Sequence, residues 1–150
     1  MPLATNTLQR GFKFHEHPAD ITIECWAPSL VEAFEEAARA TFEVILDTTT
    51  VATPESVELS VLGIDLEELL VEWIGTLIAL IDINDQFYSK FEVDKISHES
   101  NGYSLKGRAF GERIDLHRHV TRTEVKAMTY ADMKIIERTR KTTLWFTLDL

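Results

Sequence analysis

Two aspartates near opposite ends of the chain, Asp20 and Asp149, are the side chains whose types and positions best suit metal chemistry. Asp20 lies where a polar segment with His15 and His17 meets the alternating stretch ITIEC, which is typical of a half-buried strand. Asp149 ends a second alternating stretch, and Leu150 adds a further carboxylate if the chain ends there. Oxygen ligands of this kind suit calcium or magnesium. The residue types therefore allow a divalent-cation site at Asp20, Asp149 and Leu150, without requiring one.

The residue types alone leave other interpretations open. Each aspartate could equally be a strand-end residue exposed to water. The His-X-His pairs His15/His17 and His117/His119 could bind zinc together with a carboxylate, although the sequence has no HExxH segment and no cysteine cluster. For Lys126, the composition of its surroundings favours an ordinary solvated side chain.

Length and composition describe one globular domain. The chain has 150 residues, of which 45% are hydrophobic and 27% charged, and these values argue against a disordered or a membrane protein. No apolar run reaches about 18 residues, so no membrane-spanning helix is predicted. The first segment, MPLATNTLQRGFKF, lacks the continuous apolar stretch of a secretory signal. A cytoplasmic protein is expected, because Cys25 is the only cysteine and no intrachain disulfide can form.

The net charge of −10 disfavours direct binding to a nucleic-acid backbone. If the protein acts on RNA, we expect it to do so through a protein partner or through a small local basic patch. The sequence contains no GxSxG, Walker-type or GxGxxG segment, and no nucleophile with a base close by in sequence. The motifs therefore give no support to a catalytic role.

Two helices are predicted from caps and apolar periodicity. Ser29 and Glu32 form a capping box ahead of an amphipathic helix that ends near Leu46. Asp65 and Glu68 form a second N-terminal cap, ahead of the segment LEELLVEWIGTLIALI. This second helix is apolar on more than one face, and such a helix is covered on several sides. We therefore expect it to lie between two sheets.

Most of the remaining sequence alternates as antiparallel strands do, including residues 120–130 and 133–136. In the last strand, Leu144, Phe146 and Leu148 share one face. The other face carries Thr143, Trp145, Thr147 and Asp149. Two helices and many antiparallel strands predict an α+β fold. We expect residues 1–150 to form one domain, with residues 1–10 as a flexible arm.

Several bulky or reactive side chains are interpreted as core residues. Trp73, Trp145 and Met133 are expected to pack in the core and to hold no cofactor. Cys25 continues the apolar alternation of its strand, so a buried and inert thiol is predicted.

Four stretches of the sequence, in chain order, resemble the archease family. HPADITIECWAPSLVEAFEEAARATFEVI is similar to the opening motif, strand and amphipathic helix of that family. DLEELLVEWIGTLIALIDI resembles its second helix, HRHVTRTEVKAMTYADMKI its lysine-alanine-x-threonine-tyrosine segment, and WFTLDL its ending. Together the matches extend from about residue 12 to residue 150.

The resemblance implies a function. Archeases are protein cofactors of the RtcB-type RNA ligase, which joins RNA ends in tRNA splicing and RNA repair. They promote guanylylation and turnover of the ligase and are not known as enzymes themselves. The expected partner is therefore a protein, with RNA contacted only indirectly and no membrane involved. The implied fold places two helices between antiparallel sheets.

The resemblance also implies site residues. Family members bind a divalent ion, calcium in crystals, through residues that match Asp20, Asp149 and Leu150. His17 belongs to the motif that includes Asp20, and Lys126 matches a lysine implicated in function.

This sequence departs from the family pattern at two positions. Pro18 stands where a threonine is usual, so a hydrogen bond from that hydroxyl is missing. Ala131 stands where a histidine is frequent, which weakens any role for that position.

Two other functions are kept as alternatives to the ligase activator. One is a general chaperone or modulator of RNA-modifying proteins. The other is a metal-dependent hydrolase that uses the same carboxylates.

Overall fold

The computed structural model describes residues 9–150, so residues 1–8 of the predicted arm lie outside the described residues. Within that part of the chain, the main elements are two α-helices, α1 and α2, and seven strands, β1 to β7. Their bounds are β1 (Gly11–Glu16), β2 (Asp20–Ala27), α1 (Leu30–Ile45), β3 (Glu55–Gly63), α2 (Leu66–Asn84), β4 (Gln86–Glu99), β5 (Gly102–Arg113), β6 (Ala127–Arg138) and β7 (Lys141–Asp149).

Both helices begin at the predicted caps. The Ser29 hydroxyl accepts a hydrogen bond from the Glu32 main-chain N–H at 3.2 Å and donates one to the Glu32 carboxylate at 2.8 Å. The Asp65 carboxylate accepts from the Glu68 N–H at 2.8 Å. Each cap satisfies an N–H group that has no partner inside the helix. Helix α1 ends at Ile45, with Leu46 as its C-cap, so the predicted positions are confirmed.

The strands form two antiparallel sheets with the helices between them. The four-stranded sheet has the order β1-β2-β7-β6, and the three-stranded sheet has the order β3-β5-β4. Helix α1 contacts β2 and β7 of the first sheet and β4 of the second, while α2 contacts β6 on one side and β3 and β5 on the other. The predicted α+β fold, with helices between sheets, is confirmed.

A single apolar core joins the two helices to both sheets. Trp73 of α2 is completely buried, and its indole N–H donates to the Phe34 carbonyl of α1 at 2.9 Å. Cys25 is also buried, as predicted, and burial raises the pKa of its thiol. A buried thiol of this kind is a poor nucleophile.

The segment before β6 departs from the predicted strand. Residues 120–126 do not pair as a strand but cross the end of α1, where Arg122 N–H donates to the Ile45 carbonyl at 2.8 Å and Asp47 N–H donates to the Val120 carbonyl at 2.8 Å. The strand β6 begins only at Ala127 and continues to Arg138 through an irregular stretch. Contacts with a distant helix end therefore outweigh the alternating pattern.

The prediction that Trp145 belongs to the core is wrong. Trp145 lies on the side of β7 that faces away from the helices, is only partly buried, and stacks on the His15 ring with centroids 5.3 Å apart. The core side of β7 is filled by Leu144, Phe146 and Leu148, so the alternation of β7 places Trp145 outside.

Candidate functional site

Asp20 and Asp149 are direct neighbours across two paired strands. Asp20 is the first residue of β2, Asp149 is the last of β7, and the antiparallel register places them opposite each other. The next pair along, Ala19 and Leu150, is joined by a hydrogen bond from the Leu150 N–H to the Ala19 carbonyl at 3.2 Å. Hydrogen-bonded and non-hydrogen-bonded pairs alternate along an antiparallel ladder. Because Ala19 and Leu150 are hydrogen-bonded, Asp20 and Asp149 form a non-hydrogen-bonded pair, in which the Cα atoms are about 4.5 Å apart.

This register places two negative charges side by side. Opposite residues of an antiparallel pair project from the same face of the sheet, and like charges there are destabilising. Within residues 9–150, neither Asp20 nor Asp149 has a cationic side chain within ion-pairing distance. The pair of aspartates is therefore a place where a bound cation would relieve repulsion.

The neighbouring loop and the following residue are fixed on the same corner of the sheet. His17 lies in the turn between β1 and β2, and its N–H donates to the Asp20 carbonyl at 3.1 Å. The His17 side chain is exposed. Leu150 packs partly against the core, which holds the main chain next to Asp149 in place.

Lys126 lies beside the same corner. Its N–H donates to the Asp149 carbonyl at 2.9 Å, and its side chain is exposed. Next to it opens a cavity of about 610 Å³, which is lined by Ile45 and Ile78 of the two helices and by Phe87 of β4. Main-chain contacts thus place Asp20, Asp149, Leu150, His17 and Lys126 near one another, although Asp20 and Asp149 are more than a hundred positions apart in sequence.

The available ligands fit a hard cation better than a soft one. The side chains at the corner supply carboxylate oxygens, and Leu150 supplies a main-chain oxygen. Calcium and magnesium complete such sites with water. Among the described residues, no group of three His, Cys, Asp or Glu side chains is arranged to hold a metal. A site at this corner therefore depends on two carboxylates together with main-chain and water oxygens.

The second histidine pair does not form a zinc site. The buried His119 ring accepts at Nδ1 from the Asp115 N–H at 3.0 Å and contacts the Glu112 carboxylate through Nε2 at 2.9 Å. Both ring nitrogens are thus used, and the neighbouring His117 is exposed. Glu112 also pairs with Arg118, and these hydrogen bonds lower its carboxyl pKa to about 2.

Sequence reasoning did not identify the Glu112 cluster. Its members lie within eight positions of one another, as Glu112, Arg118 and His119. A carboxylate seven residues before a histidine is a weak signal, because the turn at Asp115 that brings them together has no strong sequence signature. The cluster holds the loop after β5 against residues 50–52, through the Ala52 N–H, which donates to Glu112 at 2.8 Å.

Several known proteins that resemble this chain are described as archeases. Residues 12–150 match the model of the Archease protein family. The chain is 42% identical over 139 residues to the protein archease of Sulfurisphaera tokodaii, covering 93% of this chain and 98% of that one. It is 44% identical over 126 residues to the protein archease of Pyrococcus abyssi, covering 84% of this chain and 88% of that one.

Two solved structures share the fold. The solution structure of protein 1598 from Methanobacterium thermoautotrophicum superposes with a TM-score of 0.79 at 35% identity, covering 93% of this chain and 99% of that one. A crystal structure from Thermotoga maritima, described as an archease and possible chaperone, gives a TM-score of 0.55 at 22% identity, covering 92% and 96%. The second likeness shows the fold alone. No helix in residues 9–150 has the length and apolar character needed to cross a membrane.

Proposed function

This chain belongs to the archease family, and from that premise we propose that it is a non-enzymatic activator of an RtcB-type RNA ligase. In this proposal it promotes guanylylation and turnover of the ligase in tRNA splicing and RNA repair. The protein partner is the ligase, the RNA substrate is bound by the ligase, and the site of action is the cytoplasm.

The observation that carries this proposal is the register of β2 against β7. The family resemblance implies that Asp20, Asp149 and Leu150 hold a divalent cation. The register brings Asp20 and Asp149 face to face and fixes Leu150 next to them. These residues come from distant parts of the chain, so their meeting supports the same role here.

A divalent cation, calcium as the family resemblance implies, would neutralise the two carboxylates and hold the ends of β2 and β7 together. Lys126 and His17 flank this corner and are exposed, so both are available to a partner. We infer that the ligase contacts the Asp20/Asp149 corner together with His17 and Lys126 beside it. No step of bond making is assigned to this protein.

The test compares ligation by a cognate RtcB-type ligase with and without the protein. Wild type should raise multiple-turnover ligation, whereas Asp20→Asn should give at least a tenfold smaller stimulation. Titration calorimetry with calcium alone provides a second readout, since Asp20→Asn should lose the binding seen in wild type. Glu58→Gln is the matched control, because Glu58 is an exposed carboxylate of β3 on the other sheet.

Two results would contradict the proposal. One is an absence of stimulation by wild type with its cognate ligase. The other is full stimulation by Asp20→Asn, which would remove the aspartate corner from the mechanism even if the ligase remained the partner.

A general chaperone is the second candidate function. The Thermotoga maritima relative is described as a possible chaperone. A chaperone would suppress heat aggregation of unrelated RNA-modifying enzymes, and Asp20→Asn would leave that suppression unchanged. Light scattering of such a client, with and without this protein, separates the two candidates.

A further inference from the structure

The four-stranded sheet has one side that the helices do not cover. We call this side the outer face and define it by the residues that alternate with the core residues of β1, β2, β7 and β6. Away from the Asp20/Asp149 corner, it is formed by Gly11, Lys13, His15, Thr22, Glu24, Trp26, Thr129, Lys134, Ile136, Arg138, Lys141, Thr143, Trp145 and Thr147. Both helices pack on the opposite side of the sheet.

Away from the Asp20/Asp149 corner, the outer face is basic although the protein is acidic. The net charge is −10, yet the outer positions of β6 and β7 carry Lys134, Arg138 and Lys141. In the described part of the chain these three cations form no ion pair with any carboxylate. Glu24 is a carboxylate on this face, but it pairs with other residues: it contacts Lys13 at 3.5 Å and the His15 ring at 3.4 Å.

The arrangement of these cations does not favour stability on its own. Arg138 and Lys141 lie directly opposite each other at the end of the β6–β7 hairpin, and like charges in that position are destabilising. On the three-stranded sheet some cations do lie beside acids, as Lys90 with Glu92 and Arg108 with Asp94, although Lys95 and Lys106 face each other there as well. An anionic partner would relieve the repulsion on the outer face.

Flat aromatic rings lie beside the cations. The His15 and Trp145 rings stack with an interplanar angle of 17°, although His15 is on β1 and Trp145 is on β7. The ring pair therefore spans β2. Its members are partly exposed, with 41% of the His15 side chain accessible. Trp145 is also the cross-strand neighbour of Lys134, which places a ring and an unpaired cation together.

An antiparallel sheet with exposed rings and flanking cations suits single-stranded RNA. Bases that are not stacked in a duplex pack on aromatic side chains, and cations follow the phosphates. A lipid surface would need a continuous apolar patch, whereas Ile136 is the only large aliphatic side chain among the residues that define the outer face. The basic charge and the flat rings together favour a polyanion that carries bases.

We propose that the outer face binds single-stranded RNA directly, with phosphates at Lys134, Arg138 and Lys141 and a base stacked on the His15–Trp145 pair. Along strand β2, this face extends about 20 Å from Trp26 to Asp20. A bound strand would thus run toward the corner proposed to meet the ligase. The binding itself requires no ligase, and the RNA contact goes beyond the proposed function.

The experiment measures fluorescence anisotropy of a labelled ten-nucleotide RNA with the purified full chain and no ligase present. Wild type should bind at low salt. The double variant Lys134→Glu/Lys141→Glu should bind at least tenfold more weakly. The affinity of this variant should also depend less on salt. In a plot of log affinity against log salt concentration, the slope should become smaller in magnitude by about 1.4, because each of the two phosphate contacts removed contributes about 0.7 to the slope for a single strand.

The matched control is Lys95→Glu/Lys106→Glu. These two lysines also face each other across paired strands without an ion pair in the described residues, but on the three-stranded sheet. The change in net charge is the same as in the test variant. Retention of nearly all the affinity by this control locates binding on the outer face, whereas an equal loss in both variants would show a nonspecific charge effect and overturn the proposal.

Stacking is tested separately from charge. RNA should quench tryptophan fluorescence of wild type, and Trp145→Leu should lose that quenching together with roughly tenfold in affinity. His15→Ala serves as the second variant if Trp145→Leu does not fold. Unchanged affinity in both, or no RNA binding by wild type, would overturn the proposal.

The ligase assay then separates this inference from the proposed function. If wild type binds RNA but fails to stimulate the ligase, the outer face is an RNA site and the proposed function fails. If the lysine variants lose ligase stimulation while wild type binds no RNA, the face is a protein-docking surface and the RNA inference fails.

Discussion

The surroundings of Glu112 favour the ionised form of its carboxyl group. It accepts hydrogen bonds from Arg118, His119 and the Ala52 N–H, and the Arg118 bonds contribute most to the low carboxyl pKa of about 2. Because the Asp115 N–H donates to Nδ1 of His119, the ring presents its Nε2–H to Glu112. The loop after β5 is therefore held in place by one ionised side chain.

We predict that Glu112→Gln lowers the free energy of unfolding by about 2 kcal/mol at pH 7, since hydrogen bonds to a charged group are lost in a largely buried place. The folded-state pKa lies below the ordinary 4.5. The contribution of Glu112 is therefore fully present above pH 4.5 and declines as the pH falls toward 2. Urea unfolding at pH 7 and pH 3 measures both values.

Glu124→Gln is the control for this change, because Glu124 is exposed and has no hydrogen bond or ion pair among the described residues. It should alter the free energy of unfolding by less than about 0.5 kcal/mol. A difference between wild type and Glu112→Gln that is the same at both pH values would contradict the assigned role of the charge.

Two glycines, one in a strand and one in a helix, have such different surroundings that replacement by alanine is expected to change stability in opposite directions. A Cβ atom at Gly111 of β5 would lie 1.8 Å from the Phe87 carbonyl oxygen of β4, whereas one at Gly75 of α2 would meet nothing within 4 Å. Close approach of the two strands thus requires glycine at position 111. The exposed helix position 75 has no such requirement.

We predict that Gly111→Ala destabilises the protein by about 3 kcal/mol, because β4 and β5 must move apart. Gly75→Ala should stabilise it by about 0.5–1 kcal/mol, through the better helix propensity of alanine. Thermal unfolding followed by circular dichroism gives both signs. Equal effects of the two variants would show that the β4–β5 contact is not tight.

Elements defined by local rules are predictable from the sequence, and those defined by distant contacts are not. Ser29 and Asp65 start helices through bonds to residues three positions ahead. The start of β6 instead depends on Arg122 and Ile45, far apart in sequence. Likewise, alternation correctly separates the two faces of β7. It does not reveal that helix α1 covers the face opposite to Trp145.

The candidate site divides in the same way. Residue types suggest that Asp20 and Asp149 bind a cation, but their meeting depends on the β2–β7 register. No local pattern encodes a pairing across more than a hundred positions. The family resemblance supplies the missing partner in this case. The outer face likewise depends on distant pairing, because it combines residues of β6 and β7 with residues of β1 and β2.

For the molecule as a whole, the core predicts a single cooperative transition. Buried residues from both helices and both sheets form one cluster, and the Trp73 indole joins α2 to α1. We predict that urea unfolding followed by near-ultraviolet and far-ultraviolet circular dichroism gives coincident curves. Two separate midpoints would show that one sheet unfolds before the other.

The position of β7 in the sheet has a consequence for synthesis on the ribosome. β7 follows every other strand in chain order, yet it lies inside the sheet between β2 and β6. During translation the β1–β2 hairpin therefore waits on the order of ten seconds with one edge unpaired. Such an edge invites pairing with other chains. The nascent protein is thus expected to need protection until residues 141–149 leave the exit tunnel.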